Sequence, residues 1–271
     1  MTWSASEVLG EKDFETMTAD KFAAAADAVS AFGAELARVR TRRFRPGSSA
    51  DRVDMRKTMR AAMRCGADFN PLTRRRRRTR PPPLVILCDV SGSMDRYARM
   101  LLYFLHALAN GHDRVHAFLF GTRLSNVTRA LGGRDVDTAI GNVATAVHDW
   151  GGGTRIGHCL GAFNKLWSRR VPTNEAVVLF ISDGLDRDAA EGLGREMERL
   201  HLSCRRLIWL NPLLRYESFE PKALGVRAIL PHVDEFRPVH NLNSLKELGR
   251  ALGNARSPDH VGASRQRGKA A

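Results

Sequence analysis

The sequence predicts an α/β fold, a doubly wound and mostly parallel sheet of six strands that follows an N-terminal helical appendage. Two short, uniformly apolar runs at residues 84–88 and 176–181 are typical of strands buried on both faces. Segments with the helical spacing of apolar residues alternate with these and weaker apolar runs. Such alternation is typical of parallel strands joined by right-handed crossovers, with helices on both faces of the sheet.

The N-terminal part of the chain, residues 1–72, is predicted to be helical. Apolar residues at three- and four-residue spacing predict one helix over residues 19–40 and a second around residues 53–64. Residues 73–83, TRRRRRTRPPP, join an arginine-rich run to three prolines. Because successive prolines favour an extended backbone, we expect this stretch to be a stiff basic linker. The polar and basic residues 254–271 predict a disordered tail.

Residues 84–253 form the predicted α/β domain. Its strands are expected at residues 84–88, 114–120, 124–129, 176–181, 207–210 and 226–230. Its helices are expected to begin near residue 95, to cover residues 136–147, to begin again after residue 154, and to lie around residues 193–200 and 242–252. Right-handed crossovers would place the C-terminal ends of the parallel strands at one edge of the sheet.

The composition is that of a soluble globular protein, apart from its charge. The 271 residues are 43% hydrophobic and 27% charged, and no apolar stretch is long enough to span a membrane. The N-terminus lacks a signal-peptide pattern and the four cysteines are scattered, so we expect free thiols in a reducing cytoplasm. The net charge is +14, of which residues 1–83 carry +8. The arginine run could contact phosphates, a membrane surface or an acidic partner, or could simply be solvated.

Oxygen-bearing side chains collect on three loops at the predicted sheet edge. Asp89-Val-Ser-Gly-Ser93 directly follows the strand at residues 84–88, a glycine-rich loop ends in Thr154, and Asp183 follows the strand at residues 176–181. Each loop alone could be only a helix cap or a turn, but ligands of open α/β sheets bind at this edge. Hard oxygen donors on tight loops suit Mg²⁺, with Mn²⁺ and Ca²⁺ as alternatives.

The conjunction of these three loops resembles the metal-ion-dependent adhesion site (MIDAS) of von Willebrand factor A (VWA) domains, whose fold is Rossmann-like. The resemblance implies that Ser91, Ser93 and Thr154 bind the ion through their hydroxyls. It implies that Asp89 and Asp183 act largely through bound water. It also implies that an acidic residue of a partner protein completes the coordination.

Further segments resemble the CoxE-like family over nearly the whole chain apart from the tail. Besides the N-terminal helices and the arginine-rich linker, they are FLFGTRL (118–124), VTRAL (127–131), DWGGGTRIG (149–157), SDGLD (182–186) and IWLNPL (208–213). The resemblance implies a non-enzymatic adaptor that binds a MoxR-type AAA+ ATPase. It also implies a client metalloenzyme, such as carbon monoxide dehydrogenase or another molybdenum hydroxylase. Gly151 replaces the serine of the usual Trp-Ser-Gly-Gly-Thr pattern, which loosens the loop without changing the proposed ligands.

Other chemistries find less support in the residues. The chain has no G-x-x-x-x-G-K-[ST] loop, so we expect no nucleotide hydrolysis. The loop after residue 88 is not a G-x-S-x-G motif, and we expect His158 to be a surface or packing residue. No aromatic residue interleaves with the arginines of residues 74–80, so no specific nucleic acid is expected. The alternative function is a basic scaffold that binds nucleic acid or the periphery of an anionic membrane through this run.

Overall fold

The chain divides into two units. The larger unit includes residues 82–254 and contains a six-stranded sheet, and the smaller unit lies within residues 37–81. The computed structural model describes residues 13–14, 38–47, 52–65, 72–147, 149–188, 190–215 and 222–254. None of the helices within these ranges is both long and apolar enough to cross a membrane.

The smaller unit is a three-stranded antiparallel sheet with one helix. Its strands, in the spatial order β1–β3–β2, are β1 (Val39–Pro46), β2 (Arg52–Val53) and β3 (Arg74–Arg80), and its helix is α1 (Met55–Cys65). Asp54 caps α1, because its carboxylate accepts a hydrogen bond of 3.2 Å from the Lys57 N–H. The Thr58 hydroxyl accepts a hydrogen bond of 3.0 Å from the Thr73 N–H, which ties the helix to the start of β3.

The predicted basic linker at residues 73–83 is wrong for its arginine run, because Arg74–Arg80 is the central strand of this sheet. Antiparallel partners on both sides give this strand the hydrogen bonds that a polyproline linker lacks. The helix predicted around residues 53–64 is present as α1. Most of the helix predicted over residues 19–40 lies outside the described residues, but its last two residues belong to β1. The predicted tail after residue 254 also lies outside them.

The larger unit contains the predicted six-stranded, mostly parallel sheet. In chain order its strands are β4 (Leu84–Asp89), β5 (Val115–Phe120), β6 (Leu124–Asn126), β7 (Val177–Ile181), β8 (Arg206–Asn211) and β9 (Glu235–Pro238). Their spatial order is β6–β5–β4–β7–β8–β9, and only β6 pairs antiparallel with its neighbour. Strands β4 and β7 are buried along their whole length, as their uniformly apolar sequences predict.

Helices cover both faces of the sheet. They are α2 (Asp95–Gly111), α3 (Val136–Ala146), α4 (Ile156–Leu166), α5 (Leu193–Ser203), α6 (Leu224–Ile229) and α7 (Leu242–Asn254). Successive residues of β4 enter different cores, since side chains alternate between the faces of a strand. Leu84 and Ile86 pack in the core that contains α2, α3 and α7, whereas Val85 and Leu87 pack in the core that contains α4, α5 and α6.

The strand predicted at residues 226–230 is wrong, and the sixth strand is instead β9. Residues 224–229 form the short helix α6, in which Val226 and Ile229 are buried on one face. A short and mostly apolar run such as Val-Arg-Ala-Ile-Leu does not distinguish such a helix from a strand. Strand β9 has a single large apolar residue, Phe236, and is only half-buried at the sheet edge, so it has no apolar run to reveal it.

Candidate metal centre

The five residues of the predicted metal site lie on three loops at the C-terminal edge of the parallel strands. Asp89 ends β4, Ser91 and Ser93 lie between β4 and α2, Thr154 precedes α4, and Asp183 follows β7. Asp89, Ser91, Thr154 and Asp183 are buried, whereas Ser93 is exposed. The cluster is therefore open to solvent at Ser93.

Main-chain hydrogen bonds join these loops to one another. The Gly92 N–H donates to the Gly152 carbonyl over 3.3 Å, which connects the first loop to the second. The Arg187 N–H donates to the Thr154 carbonyl over 2.9 Å, which connects the third loop to the second. The backbone therefore fixes Thr154 beside the other two loops.

Side chains of the first and third loops also form one hydrogen-bonded cluster. Asp89 Oδ1 accepts from the Ser91 N–H, and Asp89 Oδ2 accepts from the Ser182 hydroxyl, both over 2.9 Å. The hydroxyl oxygens of Ser91 and Ser93 are 3.2 Å apart. The Ser93 hydroxyl also acts to lower the pKa of Asp183, so each carboxylate is influenced by one of the two serines.

The two buried carboxylates disfavour each other's negative charge. Burial, and second to it the charge of Asp183, raise the pKa of Asp89 to about 7, although hydrogen bonds from Ser91 and Ser182 act to lower it. Burial also raises the pKa of Asp183, against the hydrogen bond from Ser93. A cation beside both groups would reverse these shifts, because a nearby positive charge favours the ionised carboxylate.

One oxygen of this cluster has no partner of its own. Asp183 Oδ1 accepts a hydrogen bond of 2.9 Å from the Leu185 N–H, whereas Asp183 Oδ2 is buried and has no hydrogen-bond partner among the described residues. Leaving such an oxygen unsatisfied costs on the order of 1–3 kcal/mol. Among all the residues that the structure describes, no three or more His, Cys, Asp or Glu side chains form a group that could hold a metal ion. Two carboxylates and neighbouring hydroxyls make an oxygen-only donor set, which suits a hard divalent cation.

Strand β8 supports the third loop with two side chains that the sequence analysis did not assign to the site. Trp209 Nε1 donates to the Ser182 carbonyl over 2.9 Å, and Asn211 Nδ2 donates to the Asp183 carbonyl over 3.2 Å. The Ser182 hydroxyl also accepts a hydrogen bond of 3.0 Å from the Gly184 N–H. The only sequence signal is that Trp209 and Asn211 lie at the end of an apolar strand; the pairing of β8 with β7 brings them to the loop.

Asp149 anchors the glycine-rich loop from outside the cluster. Its Oδ2 accepts three hydrogen bonds, from the Thr122 N–H (2.6 Å), the Thr122 hydroxyl (2.7 Å) and the Arg123 N–H (2.9 Å). Burial acts to raise the pKa of Asp149, but these hydrogen bonds outweigh it and lower the pKa below its usual value. The loop that carries Thr154 is therefore tied to the turn after β5.

We expect Asp149→Ala to destabilise the protein by about 2–3 kcal/mol at pH 7, because three donors lose their acceptor. Since the folded-state pKa of Asp149 is lowered, its contribution is present above the unfolded pKa and is lost as the pH falls through the folded pKa. Urea unfolding at pH 7 and in acid measures both effects. Asp188→Ala, which removes only an exposed ion pair with Arg155, is the control and should change stability little. Equal losses in the two variants would rule out the anchoring role.

Comparisons with solved structures found matches of low sequence identity and low TM-score. Matching solved structures include proximal thread matrix protein 1 from the mussel byssus (16% identity, TM-score 0.45, 63% of this chain and 47% of that chain). They also include a von Willebrand factor type A protein from Catenulispora acidiphila (19% identity, TM-score 0.43, 65% of this chain and 43% of that chain). The mussel protein has also been solved with a zinc-occupied MIDAS motif (15% identity, TM-score 0.45, 63% of this chain and 47% of that chain).

The chain spans less than half the length of these solved structures. No curated protein matched the sequence. The sequence model of one family, described as VWA domain containing CoxE-like protein, matches residues 25–245. Because this match covers most of the chain, the protein belongs to the family of CoxE-like proteins that contain a VWA domain.

Proposed function

We propose that this protein is a non-enzymatic adaptor, which binds an acidic side chain of a partner protein at a Mg²⁺ site formed by Asp89, Ser91, Ser93, Thr154 and Asp183. The observation that carries the proposal is the buried carboxylate pair, whose raised pKa values and unpartnered oxygen a divalent cation would relieve. The proposed partners are a MoxR-type AAA+ ATPase and a client metalloenzyme. The client would be a molybdoenzyme of the carbon monoxide dehydrogenase kind, and the adaptor would assist its maturation.

The proposal gives each of the five side chains a role. The hydroxyls of Ser91, Ser93 and Thr154 would hold the ion directly, and the carboxylates of Asp89 and Asp183 would hold it largely through water. A bound divalent cation supplies a strong, directional attraction for a carboxylate from another protein. Because the hydroxyls add no charge, the two carboxylates only just neutralise the ion, and an incoming acidic group is not repelled. The exposed position of Ser93 gives the partner access.

The surroundings of the serines support binding rather than hydrolysis. The hydroxyl oxygens of Ser91 and Ser93 lie 3.2 Å apart, and the Ser91 N–H donates to the carboxylate of Asp89. Within the part of the chain that the structure describes, no histidine is hydrogen-bonded to either serine, so no general base is in place to activate a nucleophile. His158 is exposed, as the sequence predicts.

The proposal is tested by measuring the binding of the immobilised protein to its MoxR-type ATPase and to its client, first in Mg²⁺ and then in EDTA. We expect EDTA, and separately Asp89→Ala, to raise the dissociation constant by roughly 30-fold or more, because the contact between the ion and the partner's carboxylate is lost. Asp188→Ala removes one carboxylate outside the cluster and should bind as the wild type does. Binding that is unchanged by both EDTA and Asp89→Ala would refute the mechanism.

A further inference from the structure

The smaller unit carries nearly all of the chain's excess positive charge. Residues 37–81 contain 16 Lys and Arg but only three Asp and Glu, which amounts to +13 of the total of +14. The run at residues 74–80 supplies six of these arginines, and the others come mainly from β1, β2 and α1. What this charge can bind depends on how the sheet arranges it.

Strand pairing gathers arginines around one aromatic ring. Phe44 on β1 pairs with Arg77 on β3, and Arg52 on β2 pairs with Arg75 on β3. Paired residues, and every second residue along a strand, share a face of the sheet, so these four side chains lie together. The guanidinium carbon of Arg75 lies 4.7 Å from the centre of the Phe44 ring, and those of Arg52 and Arg77 each lie 5.9 Å from it.

An aromatic ring, that of Phe44, therefore lies among the side chains of the arginine run, although the run itself contains no aromatic residue. The ring comes from a strand about thirty positions earlier in the chain, so it is absent from the run itself but lies among its side chains in the sheet. This face borders a cavity of about 330 Å³, a size in the lower range of small-ligand pockets. We name it the arginine face and define it by the lining residues that share this side of the sheet, Arg40, Phe44, Arg52, Arg75, Arg77 and Thr79.

Among the residues that the structure describes, the arginine face has no anionic partner. Arg75 Nε is buried and has no hydrogen-bond acceptor in the part of the chain that the structure describes. None of the described residues that line the cavity is acidic, and no described acidic side chain forms an ion pair with the face. Asp54 is the one acidic residue described in this unit, and it caps α1. An anionic ligand would supply the missing acceptors.

We propose that the arginine face binds single-stranded nucleic acid. Its guanidinium groups would donate paired hydrogen bonds to phosphates, and bases would stack on the Phe44 ring and on the guanidinium planes. Arg75 and Arg77, two residues apart on β3, are about 6.6 Å from each other along the strand, a spacing suited to neighbouring phosphates of an extended chain. None of the six residues is aliphatic, which disfavours a lipid surface, and an acidic protein would leave the ring and guanidinium planes without a stacking partner.

The experiment uses the full chain in EDTA, so that the candidate metal site plays no part, and a labelled 12-nucleotide single strand followed by fluorescence anisotropy. Arg75→Gln with Arg77→Gln removes two charges from the arginine face, and we expect about tenfold or greater weakening. The negative slope of log affinity against log salt concentration should become shallower by about 1.4, because two phosphate contacts are lost. Arg74→Gln with Arg78→Gln removes the same charge from the opposite face of the same strand and should weaken binding by less than about threefold.

Substitution of the ring tests stacking separately from charge. Phe44→Leu keeps every arginine and should weaken binding by about fivefold or more, whereas Phe44→Tyr should bind as the wild type does. Equal weakening by the two arginine pairs would overturn the proposal, since net charge alone would then explain binding. Two further results would overturn it, namely displacement of the strand by ATP at equal nucleotide concentration, and binding only to phosphatidylserine vesicles. Thermal unfolding confirms that each variant is folded before its affinity is compared.

Discussion

Without divalent cations, ionisation of Asp89 should lower the free energy of unfolding of this protein by about 3 kcal/mol between pH 5 and pH 8. Burial and the charge of Asp183 raise the folded-state pKa of Asp89 from 3.8 to about 7. The folded state therefore binds this proton more tightly than the unfolded chain does. The resulting stability is fully present below the unfolded pKa and is lost as the pH rises through the folded pKa. Saturating Mg²⁺ should abolish the fall, because the cation stabilises the two ionised carboxylates.

Chemical unfolding followed by tryptophan fluorescence, in EDTA and in Mg²⁺ at four pH values, measures this effect. Asp89→Asn is the control, and it should show a smaller pH-dependent fall, because burial still raises the pKa of Asp183, and little gain from Mg²⁺. His112 and His116 act in the opposite direction over the same range, since burial lowers their pKa values and stability then rises with pH. The informative quantity is thus the difference between the wild type and Asp89→Asn. If the free energies of unfolding of the two proteins in EDTA changed with pH in parallel, the pKa of Asp89 would not be raised, and the prediction would be wrong.

Gly225→Ala should cost about 3 kcal/mol or more and weaken metal binding at the same time. A Cβ atom at Gly225, in α6, would lie 2.2 Å from the carbonyl oxygen of Gly184. The atom that this Cβ would meet belongs to the backbone, so no side chain can rotate to relieve the contact. Gly184 directly follows Asp183 and already has a φ of +80°, a left-handed conformation that glycine adopts readily. The third loop would have to move, and Asp183 would move with it.

Gly141→Ala is the matched control for this substitution. Gly141 lies within α3 and a Cβ atom there would meet nothing within 4 Å, so alanine should stabilise the helix by about 0.5–1 kcal/mol. Thermal unfolding with and without Mg²⁺ gives both readouts. The Mg²⁺-induced rise in Tm should be reduced in Gly225→Ala and retained in Gly141→Ala. A Gly225→Ala protein of normal stability and normal metal response would contradict the close packing of α6 on this loop.

The pattern of apolar residues predicted the helices that have a regular apolar spacing and the strands that are buried on both faces. The continuous apolar runs of β4 and β7 identify the centre of the sheet, because both faces of these strands need cover. Patterning failed at β3 and β9 for a shared reason. A strand of arginines and a half-buried edge strand both form because neighbouring strands pair with them. Their own residues do not indicate which strands those are.

The candidate site was predictable to the extent that its residues follow the buried strands directly. The crossover rule is enough to bring the loops of Asp89 and Asp183 to one edge. Thr154 lies instead between two helices, α3 and α4, and its loop is joined to the first loop by the hydrogen bond from the Gly92 N–H to the Gly152 carbonyl. The support for those loops was not predictable, because it depends on which elements are neighbours. Asn211 reaches the third loop only because β8 lies beside β7, and Asp149 accepts hydrogen bonds from residues that precede it by 26 and 27 positions.

The hydrogen bonds from Trp209 and Asn211 to the carbonyls of Ser182 and Asp183 have a mechanical consequence. Strand β8 lies inside the sheet, between β7 and β9, so the loop that it holds is fastened to three parallel strands. Tension applied to this loop along the strand direction would be shared by the hydrogen bonds between these strands, which would resist it together in shear. The pull would therefore act on the sheet as a whole, without peeling a single loop away from it.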